Sequence, residues 1–330
     1  MKIGLALGSG ASRGWAHIGV IQTLEELGVE IDIIAGCSIG SYVGAAYGSG
    51  KLASLAEWVN SLTEWQVLTL MGVGLHRGGL VSGQKVFQAL QDNFSFKTFE
   101  QLHKPLGIAA TDLYSGREVN FYHGTILDAV RSSCAIPGLF PPVYHNDRWL
   151  VDGGIVNPVP VNLCRHLGAD IVIAVSLNAD FRPQTAEVNQ QVHEKNQQKT
   201  SDFFSKSQAQ IQQWFKRDDS KDNRAEDESV IEKVAKSEES EILVESTSAN
   251  PATKKSNAPS MIGVMSSSLD ILQARVTRSR LAGEPPDILI EPQLQAFSMM
   301  EFYRAEELIE EGRNSVIRIA EQIRYQLRLT

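Results

Sequence analysis

Long apolar runs are missing from this 330-residue chain. Its longest such stretches, Trp65 to Leu75 for example, fall short of the roughly 18 apolar residues that a membrane-spanning helix needs. A signal peptide is not expected either. Lys2 stands alone, and a strand-like segment runs into glycines by Gly8, where a basic n-region and an apolar h-region would be required. Cysteine is scarce. Cys37, Cys134 and Cys164 are too few for a disulfide scaffold and show no metal-ligand spacing. An odd count without a secretion signal fits the reducing cytosol. No run of Lys or Arg occurs and the net charge is −8, so the footprint of a nucleic-acid-binding protein is lacking.

One long stretch lacks glycine. Phe181 to Ser260 contain none, whereas the whole chain has 26. This stretch is rich in Gln, Asn, Lys, Glu, Asp and Ser, and Asp218 to Glu245 is highly charged and of mixed sign. Such a segment buries too little apolar surface to offset its ordering entropy. It reads as a polar, low-complexity insertion over 181–262, partly helical at first and mostly disordered after Phe215. Phe203, Phe204, Ile211, Trp214 and Phe215 form a sparse apolar face within it, suited to a lipid surface, a docked helix or a protein partner. Without the insertion, roughly 250 residues remain, within the range of one α/β domain. The expected organisation is a core over 1–180 completed by a helix-strand-helix unit over 263–330.

With 42% apolar residues, that remainder can build a core. Lys2–Leu7, Ile31–Ala35, Leu106–Asp112, Val119–Tyr122, Asp170–Leu177 and Asp287–Ile290 read as strands. Trp15–Leu27, Ile39–Tyr47, a following stretch through Leu62, Ser82–Asn93, Asp128–Ser133, Leu269–Leu281 and a long closing segment Met299–Leu327 read as helices. Buried strands alternating with helices predict an α/β fold with a mostly parallel sheet covered on both faces.

Two turns carry chemistry. The first strand ends in Gly8-Ser9-Gly10-Ala11-Ser12-Arg13-Gly14 and leads into a helix, so backbone N–H groups there can face a phosphate or a reaction oxyanion. A dinucleotide loop would place glycine where Arg13 stands, and an acidic residue at the end of the second strand. That strand ends instead in Gly36-Cys37-Ser38-Ile39-Gly40, a G-x-S-x-G sequence between strand and helix. In that setting the serine hydroxyl is exposed on a sharp turn as a nucleophile, although a helix N-cap serine would satisfy the same position. If the two strands are neighbours, loop and serine share one sheet edge. Arg13 offers either positive charge beside an oxyanion or a structural ion pair. Ser38 needs a base, and Asp152 in Val151-Asp152-Gly153-Gly154 is the strongest candidate, ending a short apolar run before two glycines. None of the seven histidines, among them His17, His166 and His193, stands at a turn aimed at Ser38, and no metal site is expected.

A glycine-rich loop with Arg, G-x-S-x-G about 25 residues later, and D-G-G together resemble the patatin-like phospholipases. The N-terminal block Lys2–Gly19, the elbow Ala35–Ala46 and the block Arg131–Phe140 look closest to the bacterial RssA-type members. The resemblance implies an α/β/α fold and a Ser-Asp dyad without histidine, with Ser38 as nucleophile and Asp152 as proton acceptor. It puts Gly10, Ala11 and Arg13 at the oxyanion hole, supported by Gly8, Gly14, Gly36, Gly40, Gly153 and Gly154. Plant patatins carry consecutive glycines where this chain has Gly8-Ser9-Gly10-Ala11. The expected activity is lipid ester hydrolysis by a carboxylic ester hydrolase, with no cofactor. The expected location is the cytosol, with peripheral contact at the inner face of the membrane. The rival readings are an α/β-hydrolase triad with a histidine, a regulatory or scaffolding protein that keeps the fold, and a nucleotide-binding protein.

Overall fold

The computed structural model describes residues 1–76, 79–179 and 261–329. The expected insertion lies outside them, except that its last two residues, Met261 and Ile262, open a helix. In chain order the elements begin with β1 (Ile3–Leu7), a short 3-10 turn (Ala11–Trp15) and α1 (Ala16–Glu26). Next come β2 (Ile33–Cys37), α2 (Ile39–Gly48), α3 (Leu52–Asn60) and α4 (Glu64–Met71). β3 (Val73–His76) and β4 (Gly79–Val81) form a separate small sheet before α5 (Gln84–Ala89). β5 (Leu106–Asp112), β6 (Glu118–Phe121), α6 (Ile126–Ser133), β7 (Val143–His145) and β8 (Arg148–Asp152) follow. α7 (Val161–His166), β9 (Ile171–Val175), α8 (Met261–Gly283), β10 (Ile288–Ile290), α9 (Ala305–Ile317) and α10 (Ala320–Leu327) complete the set.

The main sheet has strand order β10-β9-β1-β2-β5-β8-β7, with β6 also paired to β5. The first five of that order are parallel, while β6, β7 and β8 join antiparallel. The expected α/β fold with a mostly parallel sheet is the one observed. β1 is buried along its whole length, which explains its unbroken apolar sequence: helices cover both faces of a central parallel strand. Burying side chains such as Leu5, Leu7 and Ile34 completely contributes about 1.5–3 kcal/mol each.

Three departures from the expected elements have physical causes. The closing segment is not one helix. Residues 297–304 turn instead, because the Ser298 and Met299 carbonyls accept from the Ser12 hydroxyl and N–H at 2.7 and 3.1 Å. The helix then breaks at Arg318–Ile319, beside the β-branched Val316, Ile317 and Ile319 that disfavour helix. Finally, the short strands β3, β4 and β7 carry too few residues for alternation to announce them. α4, by contrast, starts where its sequence allows, at a capping box. Thr63 Oγ1 accepts from Gln66 N at 3.3 Å, and Gln66 Oε1 accepts from Thr63 N at 2.9 Å.

Candidate active site

The register around β5 builds the centre of the site. Ala109 pairs with Cys37 of β2 and with Asn120 of β6, so β2 and β6 lie on opposite edges of β5. Ala110 pairs with Val119 of β6 and with Asp152 of β8. β8 therefore lies on the same edge as β2 and takes it over where β2 stops. The two strands run toward each other and end head to head, one at Cys37 and the other at Asp152. Ser38 and Asp152 meet at this seam, where Ser38 Oγ donates to Asp152 Oδ2 at 2.5 Å. Both residues are buried.

Ser38 sits at φ 53°, ψ −124°, a left-handed backbone that a serine adopts at a cost of order 1–3 kcal/mol. Its neighbours make the sharp turn possible. A Cβ on Gly40 would lie 2.1 Å from the Leu7 carbonyl oxygen, and one on Gly36 would lie 2.6 Å from Gly40 O. The turn is held from the other side as well. Ser38 N donates to Ser133 Oγ at 2.8 Å, and Ser133 Oγ donates to Ala109 O at 2.6 Å. Ser133 ends α6 and is a supporting residue that spacing alone did not single out.

Asp152 is oriented through both oxygens. Oδ2 takes the serine proton donor, and Oδ1 accepts from Gly154 N at 2.7 Å. Burial pushes its pKa up to about 6, against the opposing pull of the hydrogen bonds from Ser38 and the Gly154 N–H. Gly153 packs where a Cβ would lie 2.3 Å from Ala109 O.

β1 and β2 are parallel neighbours, with Leu7 opposite Gly36, so the glycine loop and Ser38 do share one sheet edge. Several amides of the loop are already engaged. Gly8 N donates to Val175 O, Ser9 N to Pro158 O, Ser12 N to Met299 O and Arg13 N to Gly10 O. Among the described residues, no backbone carbonyl accepts from Gly10 N or Ala11 N. Ala11 has φ 50°, a left-handed conformation that glycine adopts more freely. Arg13 is tied to α8. Its guanidinium bonds Asp270 of α8 through two contacts of 3.3 Å and the Phe297 carbonyl at 3.2 Å. With its N–H also engaged, Arg13 braces the glycine loop against α8. Gly14 lies against Ile39 at the start of α2.

Two histidines are bonded or stacked elsewhere. His17 is fully buried, and its Nε2 bonds the Gly8 carbonyl at 2.8 Å. Burial lowers its pKa to about 4, so it is neutral near pH 7. His166 stacks on Tyr122, with ring centroids 5.2 Å apart, and His193 lies outside the described residues. The three cysteines are free and buried. Among the described residues, no group of three or more His, Cys, Asp or Glu is placed to hold a metal ion. None of the described helices is long and apolar enough to cross a membrane.

A cavity opens directly onto Ser38. Its cavity volume is about 60 Å³. Its walls are apolar, with Ala11 and Ser38 beside Tyr42, Met71, Phe87 and Phe140. Val67, Leu70 and Met71 of α4 bring part of the apolar stretch after the elbow into this wall. Trp65 on the same helix is 57% exposed.

Comparison with known proteins identifies the family. The patatin-like phospholipase family profile matches residues 5–165. An uncharacterized NTE family protein of Mycobacterium tuberculosis is 36% identical over 329 residues, covering 94% of this chain and 89% of that protein. The neuropathy target esterase sws of Drosophila melanogaster is 31% identical over 185 residues, 54% of this chain but 13% of its own length. Patatin-like phospholipase domain-containing protein 6 of Mus musculus is 32% identical over 184 residues, 54% of this chain and 14% of its own. These similarities concern the family as a whole rather than its RssA-type members. The chain belongs to the patatin-like phospholipase family.

Proposed function

We propose that the protein is a serine acyl hydrolase that cleaves lipid esters with a Ser38–Asp152 dyad and no histidine. The observation that carries this reading is the 2.5 Å hydrogen bond from Ser38 Oγ to Asp152 Oδ2 at the base of an apolar cavity. Asp152 takes the proton as Ser38 Oγ attacks the ester carbonyl. The N–H groups of Gly10 and Ala11, which no backbone carbonyl engages among the described residues, receive the oxyanion; one such donor is worth roughly 2.7–4 kcal/mol. Asp152 then returns the proton to the leaving alcohol. Water deprotonated by Asp152 attacks the acyl-enzyme and releases the fatty acid and Ser38.

A carboxylate is ordinarily a weak base, and burial offsets this by raising Asp152 toward the working pH. The cavity supplies an apolar wall for an acyl chain, and the exposed Trp65 at its α4 side supplies an amphipathic ring for peripheral contact with lipid. The reading is tested with a panel of phospholipid, lysophospholipid and simple esters, assayed with the wild type, Ser38→Ala and Asp152→Asn side by side. Each variant is expected to lose hydrolysis by about 10⁴-fold or more while remaining folded. Unchanged turnover in either folded variant overturns it.

A further inference from the structure

One helix touches the glycine loop and the Asp152 turn together, and it does so with polar side chains. Along α8, Asp270, Gln273, Ala274, Thr277 and Arg280 recur at three- and four-residue spacing and so share one face. Gln273, Ala274 and Thr277 are buried. A helix held on the core by apolar burial alone would carry apolar residues there, and a buried amide is costly unless it is partnered. The partners belong to the site. Asp270 pairs with Arg13 of the loop and Arg280 with Glu118 of β6 at 2.5 Å. Gln273 Oε1 accepts from Ser9 Oγ at 3.3 Å and from Asn178 Nδ2 at 3.4 Å. Ser9 lies inside the glycine loop, and Asn178 lies just beyond β9.

The other end of the same amide lies beside Gly154, whose N–H bonds the base. A Cβ on Gly154 would lie 2.6 Å from Gln273 Nε2, 2.9 Å from Asp152 Oδ1 and 3.0 Å from Ser9 Oγ. The amide, the carboxylate and the loop hydroxyl thus surround one point beside Gly154. The absence of a side chain there lets them approach.

We propose that Gln273 is a positioning residue of the site, its amide holding the glycine loop in register with the Asp152–Gly154 turn. This rests on the acyl-hydrolase reading. Its bonds are individually small, but catalysis is steep in geometry: a displacement of about 1 Å can cost about 100-fold in rate.

The test uses the full chain, a p-nitrophenyl acyl ester and a fluorophosphonate probe, with Gln273→Ala, Gln273→Glu, Ser9→Ala and the Ser9→Ala/Gln273→Ala double variant. Gln273→Ala is expected to lower kcat about tenfold or more with KM little changed. The double variant is expected to be no worse than the poorer single one, because both remove the same link. Gln273→Glu retains an acceptor for Ser9 and Asn178 but sets a negative charge near Asp152, so its acid limb of kcat moves to higher pH. That shift reads the proximity of position 273 to Asp152, whereas a purely structural role would lower Tm and leave kcat of the folded Gln273→Ala protein unchanged. If Gln273→Ala fails to fold, Ser9→Ala and Gln273→Glu carry the test. Overturning results are Gln273→Ala with wild-type kcat, additive losses in the double variant, or an unshifted limb in Gln273→Glu. A wild type that neither hydrolyses ester nor takes the probe at Ser38 overturns the acyl-hydrolase reading itself. An active wild type matched by Gln273→Ala overturns only the positioning role.

Discussion

Ser38 and Asp152 stand 114 positions apart in the chain, yet Ser38 Oγ donates to Asp152 Oδ2 at 2.5 Å. They meet because β2 and β8 approach each other along one edge of β5 and stop at adjacent residues, Ala109 and Ala110. A serine hydroxyl on a strained turn is thereby set against a carboxylate whose approach is fixed by strand register. Long flexible side chains play no part in bringing them together.

Proton uptake follows from burial of the carboxylate. Asp152 must be ionised to accept the Ser38 proton, and burial raises its pKa to about 6. Ester hydrolysis is expected to rise with pH through an apparent pKa of about 6 and to level off above it. A kcat profile checks this. An acid limb near the ordinary carboxylate value of about 3.9 would contradict it.

The same shift has a consequence for stability. The folded state holds a proton on Asp152 more tightly than the unfolded chain does, since 3.8 is raised to about 6. This contribution is fully present below the unfolded pKa and is lost as pH rises through the folded one. At neutral pH the ionised carboxylate therefore destabilises the fold, by about 1–3 kcal/mol. Asp152→Asn is expected to raise Tm at pH 7–8, with a gain that shrinks toward about pH 4. Thermal melts across pH check it, and a lower Tm for the variant at pH 8 would count against it.

Crowding at the elbow predicts an intolerant position. A Cβ on Gly40 would fall 2.1 Å from Leu7 O and 2.6 Å from Leu7 C, both backbone atoms of the central strand. Gly40→Ala is expected to destabilise the protein by about 2–3 kcal/mol and to abolish activity. Gly116, with nothing within 4 Å of its Cβ position but φ +65°, should lose only about 1 kcal/mol on the same change and keep activity. Urea unfolding of both variants makes the comparison.

Histidine provides a further contrast. His17 Nε2 bonds the Gly8 carbonyl. His17→Gln, which retains a donor for that carbonyl, is expected to keep kcat within about tenfold. His166→Ala, which removes a ring stacked on Tyr122, should leave kcat unchanged. A loss of about 10⁴-fold in either variant, with the fold preserved, would point to a triad.

Local patterns made much of this legible in the sequence. The glycine loop and the elbow each occupy a single strand-turn-helix unit, so their residue types announce them, and the D-G-G turn marks Asp152. What was not legible depends on distant partners. Arg13 faces Asp270, 257 positions away, and no local rule distinguishes a cation beside an oxyanion from one end of an ion pair. The helix expected through Met299 is diverted by carbonyls that bond Ser12, again a tertiary demand. Gln273 reads as an ordinary polar helix residue until α8 is placed against the loop. The head-to-head ending of β2 and β8 is a matter of register, which neither strand reveals alone.

The central claim is that Ser38 becomes the covalent nucleophile only with Asp152 as its base. Fluorophosphonate labelling of the wild type and Asp152→Asn, with the adduct located by mass spectrometry of peptides, tests it most directly. The account predicts a single adduct on Ser38 in the wild type and a labelling rate lowered by about 100-fold or more in Asp152→Asn. An adduct on another residue, or equal labelling rates in the two proteins, would contradict it.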